Sequence, residues 1–180
     1  GDMLRGKRTS YEGGVRIPLI MHWEGKVGFS EGREPGVRDE LVSTLDLMPT
    51  ILNVAGVAQP DGLPGKSLLP LLQGKARSWR EFLFTEYHTH SAHNYFPQRT
   101  VRNGRFKLIH NLQPNQINPG YEFTMNRFFP GLQKVIDQAE EPVRSAYALT
   151  KKPPEYELYD LKSDPFEFRN LANDGAYVSH

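Results

Sequence analysis

The residues best equipped for chemistry come first in the chain. Lys7 stands in Gly6-Lys7-Arg8-Thr9-Ser10-Tyr11-Glu12-Gly13-Gly14-Val15-Arg16-Ile17-Pro18. A lysine ammonium is a compact charge with three donors, suited to a tetrahedral oxyanion. Glycines let backbone approach closely, and loops at the ends of strands in open α/β sheets are where ligands bind. Residue types alone serve a solvated basic turn equally well. A second cluster is His88, His90 and His93. The i, i+2 spacing puts His88 and His90 on one face of a strand. A hydrogen-bonded loop, a substrate contact and a metal site are all readings of it; a partly cationic imidazole recognises sulfate or carboxylate. A third set, Arg99, Arg102, Arg105 and Lys107, reads as a basic sheet face, either solvated or turned to a polyanion that arginine grips with its fork. Tyr156, Tyr159, Phe166 and Phe168 read as packing residues in preference to sugar-stacking platforms.

Elements must position these groups. The apolar run at residues 17–21 predicts a buried strand, with Pro18 at its start or on an edge, and a Gly-, Glu- and Pro-rich loop over residues 25–36. Met48, Ile51, Leu52 and Ala55 fall at i, i+3, i+4, i+7 and predict a helix with one apolar stripe. Thr44 or Asp46 would cap its start and Gly56 its end. Turn chemistry fills residues 59–65, and Ser67 would cap a short helix ending near Gly74. Residues 82–87 read as a strand. Asn103-Gly104 between two strand-like runs predicts a hairpin with a two-residue type I′ turn. Val101, Phe106 and Leu108 would then face the core, with Arg105 and Lys107 outward. Pro130 opens a predicted helix burying Leu132, Val135, Ile136 and Ala139, and residues 156–159 form a last strand. The result is a small antiparallel sheet packed on one helix, an α+β arrangement.

Composition sets the bounds. The chain has 180 residues, 38% hydrophobic and 24% charged, with net charge +1. That is an ordinary globular composition, with no basic run for nucleic acid and no stretch long enough to span a bilayer. Cysteine is absent, which excludes disulfides and thiolate ligands. No leader sequence is visible.

Four stretches, in one order, resemble the sulfatase family: residues 6–18; Leu45-Asp46-Leu47-Met48-Pro49-Thr50-Ile51-Leu52 with Ala55-Gly56; Gly65-Lys66-Ser67-Leu68-Leu69-Pro70-Leu71-Leu72 with Gly74; and Glu157-Leu158-Tyr159-Asp160-Leu161 with Asp164-Pro165 and Asn170-Leu171-Ala172. Within the family, residues 99–112 and the histidine stretch running into Phe96-Pro97 are similar to the heparan N-sulfatase (sulfamidase) branch.

The resemblance implies an α/β fold class. Residues 1–79 would be the C-terminal part of an alkaline-phosphatase-like catalytic domain. Residues 80–180 would be a C-terminal α+β subdomain with an antiparallel sheet and a packed helix. It implies a hydrolase of O- or N-sulfate on sulfated glycans, a formylglycine enzyme of glycosaminoglycan degradation, with calcium in the full-length protein and none in this chain. Lys7 matches a basic residue that contacts sulfate, which makes it the catalytic candidate. His88, His90 and Arg99 are the substrate-binding candidates, and no residue is expected to bind metal. Asp2 stands near the family's metal-binding pair without matching it. No Cys or Ser stands in the nucleophile's Cys/Ser-x-Pro/Ala-x-Arg context, so this chain alone is expected to be inactive. Expected partners are the sulfated glycan and the N-terminal catalytic part of the same enzyme, with room for a homo-oligomer and none for nucleic acid or membrane. The family points to a periplasmic, secreted or lysosomal setting. Two alternatives stay open: a phosphatase or phosphonate hydrolase of the same superfold, and a stand-alone glycan-binding or structural module.

Overall fold

The computed structural model describes residues 5–23, 36–91 and 94–177. The chain forms two compact units, Pro18–Leu83 and a second made of Gly1–Ile17 with Phe84–His180. Sequence puts its boundary at 79/80. In the structure the later switch falls at 83/84, and the first seventeen residues join the C-terminal half.

In the unit Pro18–Leu83, a 3-10 turn over Thr44–Asp46 leads into helix α2, Leu47–Val54. The cap is Ser43, whose side chain accepts from the Leu45 N–H while the Asp46 carboxylate accepts from the Ser43 N–H, a capping box one residue earlier than Thr44. Gly56 ends the helix at φ 67°, as expected of a left-handed C-terminal position. The buried face corrects the expected stripe. Met48 and Ile51 are exposed, and Pro49 and Thr50 are buried. The Thr50 hydroxyl donates to the Asp46 carbonyl and accepts from the Leu68 N–H, which turns that face toward the segment leading into helix α3, Leu69–Leu72. Ser67 Oγ accepts from the Leu69 N–H at 3.3 Å.

Asp46 is the knot of this unit. Its side chain is fully buried, and it accepts both Arg80 Nη groups at 2.6 Å and the N–H groups of Ser43 and Lys66 at 2.7 and 2.8 Å. A Cβ on Gly65 would sit 1.9 Å from the Leu45 carbonyl oxygen, so this close approach requires glycine. Residues 17–21 correct a further expectation. They form no strand, and Ile17, Leu19, Ile20 and Met21 are exposed. Apolar composition supplied the strand signal, but among the described residues no neighbouring strand pairs with them. The loop expected at residues 25–36 lies almost wholly outside the described residues.

The other unit is built on a four-stranded sheet in the order β1-β2-β3-β4, with β1 Leu83–Tyr87, β2 Gln98–Arg102, β3 Phe106–Asn111 and β4 Tyr156–Asp160. β2–β3 and β3–β4 are antiparallel. The expected hairpin is β2–β3, but its turn differs. Arg102 pairs with Lys107, which places Gly104 and Arg105 at the tip. Neither Asn103 nor Gly104 has positive φ, so the turn is not type I′. Asn103 Oδ1 instead accepts from the Arg105 and Phe106 N–H groups, a local side-chain cap that closes the turn one residue later. A side chain on Gly104 meets nothing within 4 Å. Gly104→Val is therefore expected to change stability by less than about 0.5 kcal/mol, as checked by urea titration, and not to impose backbone strain.

The later turn shifts the pairing by two residues and keeps Val101, Phe106 and Leu108 on one face, but that face is not the buried one. Lys107, Ile109 and Asn111 are buried, and Phe106, Leu108 and His110 are only partly so. Lys107 goes inside because two carboxylates receive it: Glu12 Oε1 at 3.2 Å and Glu167 Oε1 at 3.0 Å. The basic sheet face therefore does not exist as drawn from sequence. Arg102 pairs with Glu12, Arg105 with Asp160, and Lys107 is buried. Of the four aromatics read as packing residues, Tyr159 is fully buried, while Tyr156 and Phe166 are exposed.

Between β3 and β4 lie three helices where sequence predicts one: α4 Pro119–Phe128, α5 Leu132–Asp137 and α6 Val143–Lys151. Tyr121, Met125 and Ile136 form their core, with Phe129, Leu132 and Tyr147 against it. The helix expected from Pro130 is α5. It buries Ile136 but leaves Val135 exposed, and it packs within this cluster rather than on the hairpin. A second cluster, Tyr11, Ile109 and Tyr159 with Leu161, joins the N-terminal segment to the sheet.

Candidate functional site

Lys7 is exposed on a turn that its surroundings hold firmly. Helix α1, Glu12–Val15, doubles back under the turn. A Cβ on Gly13 would lie 2.6 Å from the Arg5 carbonyl oxygen; one on Gly14 would lie 2.3 Å from that of Thr9 and 2.6 Å from that of Gly6. The two glycines therefore let residues 5–9 rest directly on the backbone of α1. The Thr9 hydroxyl donates to the Gly6 carbonyl at 2.7 Å, and Arg8 adopts φ 77°. The turn is closed and aims Lys7 outward.

Each end of the turn is anchored in the sheet unit. The Arg5 guanidinium is buried, 3.6 Å from the Tyr11 ring centroid, and donates to the Ala146 carbonyl, the Thr150 hydroxyl and the Glu167 carbonyl. Burial opposes its charge, but Tyr11, Tyr159 and Glu157 outweigh this and hold its pKa above the ordinary value. On the other side, the Glu12 N–H donates to Glu167 Oε2 at 2.6 Å, and its carboxylate receives Arg102 at 2.6 Å and Lys107 at 3.2 Å. Burial pushes the Glu167 carboxyl up, against the pull of Lys107 and the Glu12 N–H. Below them Glu157 accepts from Tyr11, Tyr159 and Asn111. Burial first, and Glu157 with it, drives both phenols well above their ordinary value, so both stay protonated donors.

The histidines sit on a separate turn after β1. Asn94, buried, accepts through Oδ1 from the His90 and Ser91 N–H groups at 3.1 and 2.8 Å. The His88 carbonyl accepts from the Phe96 N–H. Both side chains are exposed, with His88 Nε2 3.4 Å from Glu86. His93 and Asp2 lie outside the described residues. The phenol of Tyr87, at the end of β1, is raised by burial and pulled back by the charge of Arg8, the neighbour of Lys7. The Arg8 guanidinium also lies 5.7 and 5.8 Å from the half-exposed rings of Phe123 and Phe128 on α4. Arg99 is exposed on β2, in register with His110, which stacks on Tyr156. None of the four sequence candidates lines the concavity of about 450 Å³ formed by Glu141, Pro142, Ser145, Leu149, Phe168, Arg169 and Asn170.

Residues that sequence reasoning missed are the anchors Arg5, Glu12, Glu167 and Asn94. The Glu12 and Glu167 contacts join positions 155 apart, which no local pattern reports. Among the described residues no group of three His, Asp or Glu side chains converges as a cation site.

Comparison with known proteins decides the family. Residues 3–126 match the family model described as N-sulphoglucosamine sulphohydrolase, C-terminal. The chain belongs to this sulfatase family. Over 177 residues it is 32% identical to an ulvan-active sulfatase of Formosa agariphila, covering 97% of this chain and 32% of that protein. Human arylsulfatase A is 34% identical over 168 residues, covering 92% of this chain and 28% of that protein. A solved 2-O GAG sulfatase superposes with a TM-score of 0.54 at 27% identity, over 82% of this chain and 24% of that one. The chain thus spans about a third of its curated relatives and is the C-terminal portion of a sulfatase, with the fold class of that family's C-terminal piece.

Proposed function

We propose that this chain serves a hydrolase of sulfate groups on a sulfated glycan, with Lys7 as the cation that meets the sulfate. The observation that carries the reading is the built turn: an exposed lysine on a loop fastened by Gly13, Gly14, Arg5 and Glu12. A mobile surface lysine needs no such support. A cation held at an oxygen where charge develops stabilises the transition state without reorganising. His88, His90 and Arg99 would contact the sugar beside it. The relatives support the substrate class, since one is an ulvan-active sulfatase and another a 2-O GAG sulfatase. The apolar side chains left exposed in the unit Pro18–Leu83, among them Ile17's neighbours Leu19 and Ile20 and the helix residues Met48 and Ile51, would be covered by the N-terminal catalytic part of the same enzyme. A nucleophile, and a calcium ion with its ligands, would come from that part too.

Two assays test this. The complete enzyme should release sulfate from sulfated glycans; release of phosphate from phosphate or phosphonate esters with no sulfate release would favour the alternative chemistry. The chain by itself should hydrolyse neither an aryl sulfate nor glucosamine N-sulfate above the buffer rate, because it offers no cysteine and no serine in the nucleophile motif. Turnover by the purified chain at a catalytic rate would overturn the division of labour.

A further inference from the structure

We propose that Glu12, gripped by Arg102 and Lys107, is a positioning residue for Lys7, so that the C-terminal sheet sets where the sulfate-binding ammonium stands. The inference rests on the assignment of Lys7 to sulfate and adds the group that holds it there.

The chain of contact is short. Lys107 reaches Glu12 from β3 and Arg102 reaches it from β2, at 3.2 and 2.6 Å. Glu167, beyond β4, takes the Glu12 N–H at 2.6 Å and Lys107 at 3.0 Å. Glu12 is thus fixed by backbone and side chain from three directions. The next two residues, Gly13 and Gly14, touch the backbone of Arg5, Gly6 and Thr9 with no side chain between. A displacement of Glu12 therefore passes straight into the turn that carries Lys7.

Stability alone is a poor account of these charges. Lys107 is 1% exposed and Glu167 2%, and a buried ion pair is often no more stabilising than apolar side chains of the same volume. What ion pairs of this geometry supply is a unique register. Misplacing a catalytic group by about 1 Å can cost about a hundredfold in rate. Glu12 is buried and its carboxylate is held by Arg102 and Lys107, so it acts through Lys7 and not on the substrate.

The experiment is a double-mutant cycle in the complete enzyme, read as kcat/KM on an aryl sulfate. Glu12→Gln should lower kcat/KM by about five- to fifty-fold, chiefly in kcat. In the Lys7→Ala background the same substitution should change it by less than about twofold, because the group being positioned is gone. A merely structural role would lower both backgrounds alike, and that result overturns the proposal, as does Glu12→Gln with wild-type kinetics. If Lys7→Ala itself is without effect, the sulfate assignment fails and takes this inference with it. Should Glu12→Gln not fold, Arg102→Gln replaces it. Arg102 is 20% exposed in its side chain, so its loss is tolerated, and the same non-additivity with Lys7→Ala is required.

Discussion

Lys7→Ala in the complete enzyme is expected to lower kcat/KM by about ten- to a thousand-fold, the range for loss of one charge-stabilising donor. The fall should lie mainly in kcat, since the departing ester oxygen gains charge as the S–O bond breaks and the ammonium is worth most at that moment. Stability should not follow. Lys7 is exposed, and the turn is held by Thr9, Arg5, Glu12 and the two glycines, none of which uses the lysine side chain. Thermal denaturation of the variant should therefore match that of the wild type. Wild-type kinetics would remove Lys7 from the sulfate site; a lowered rate with a lowered melting temperature would make it a structural residue.

The largest effect on stability is expected at Asp46. Asp46→Asn removes the charge that receives the Arg80 fork and exchanges one of two acceptor oxygens for a donor, in a site where both are already taken by Arg80 and by the Ser43 and Lys66 N–H groups. Leaving a buried partner uncompensated costs about 2–4 kcal/mol. Both tryptophans of the chain, Trp23 and Trp79, lie in the unit Pro18–Leu83, so tryptophan fluorescence during urea unfolding reports the affected unit. The pH dependence has a definite sign. Burial alone would raise the Asp46 carboxyl, but Arg80 and the two backbone donors outweigh it and hold it below 3.8. A carboxyl lowered on folding contributes stability in full above its unfolded pKa and loses it as pH falls through the folded value. Wild type should lose unfolding midpoint across that acidic window faster than Asp46→Asn does. Equal midpoints for the two proteins at neutral pH would refute the role of Asp46.

Sequence showed the elements more clearly than their faces. The hairpin was legible because Asn103-Gly104 interrupts two β-rich runs, yet the turn closes one residue later, since Asn103 Oδ1 caps the Arg105 and Phe106 N–H groups. Which face of the hairpin is buried depends on what packs against it, and Tyr11 of the N-terminal segment lies against Ile109, so Lys107 is inside while Phe106 is not. No pattern rule places a lysine in a core; its carboxylate partners Glu12 and Glu167 stand 95 and 60 positions away and become neighbours only in the fold. Helix α2 was legible from its period, but its apolar stripe is exposed, because period reports amphipathicity and not which partner covers it. Helix α4 had a signal that went unread: Asn118 caps Gly120 and Tyr121 and Pro119 follows it, a recognised helix start. Of the candidate site, Lys7 and the histidines could be named from residue types, while the anchors that fix the Lys7 turn required coordinates.

The most direct measurement is a crystal structure of the complete enzyme with a sulfate ester or inorganic sulfate bound at its nucleophile. Lys7 Nζ should lie within about 3.2 Å of a sulfate oxygen, with Glu12 still held by Arg102 and Lys107. A sulfate seated at the nucleophile while Lys7 extends into solvent beyond hydrogen-bond reach would contradict the account.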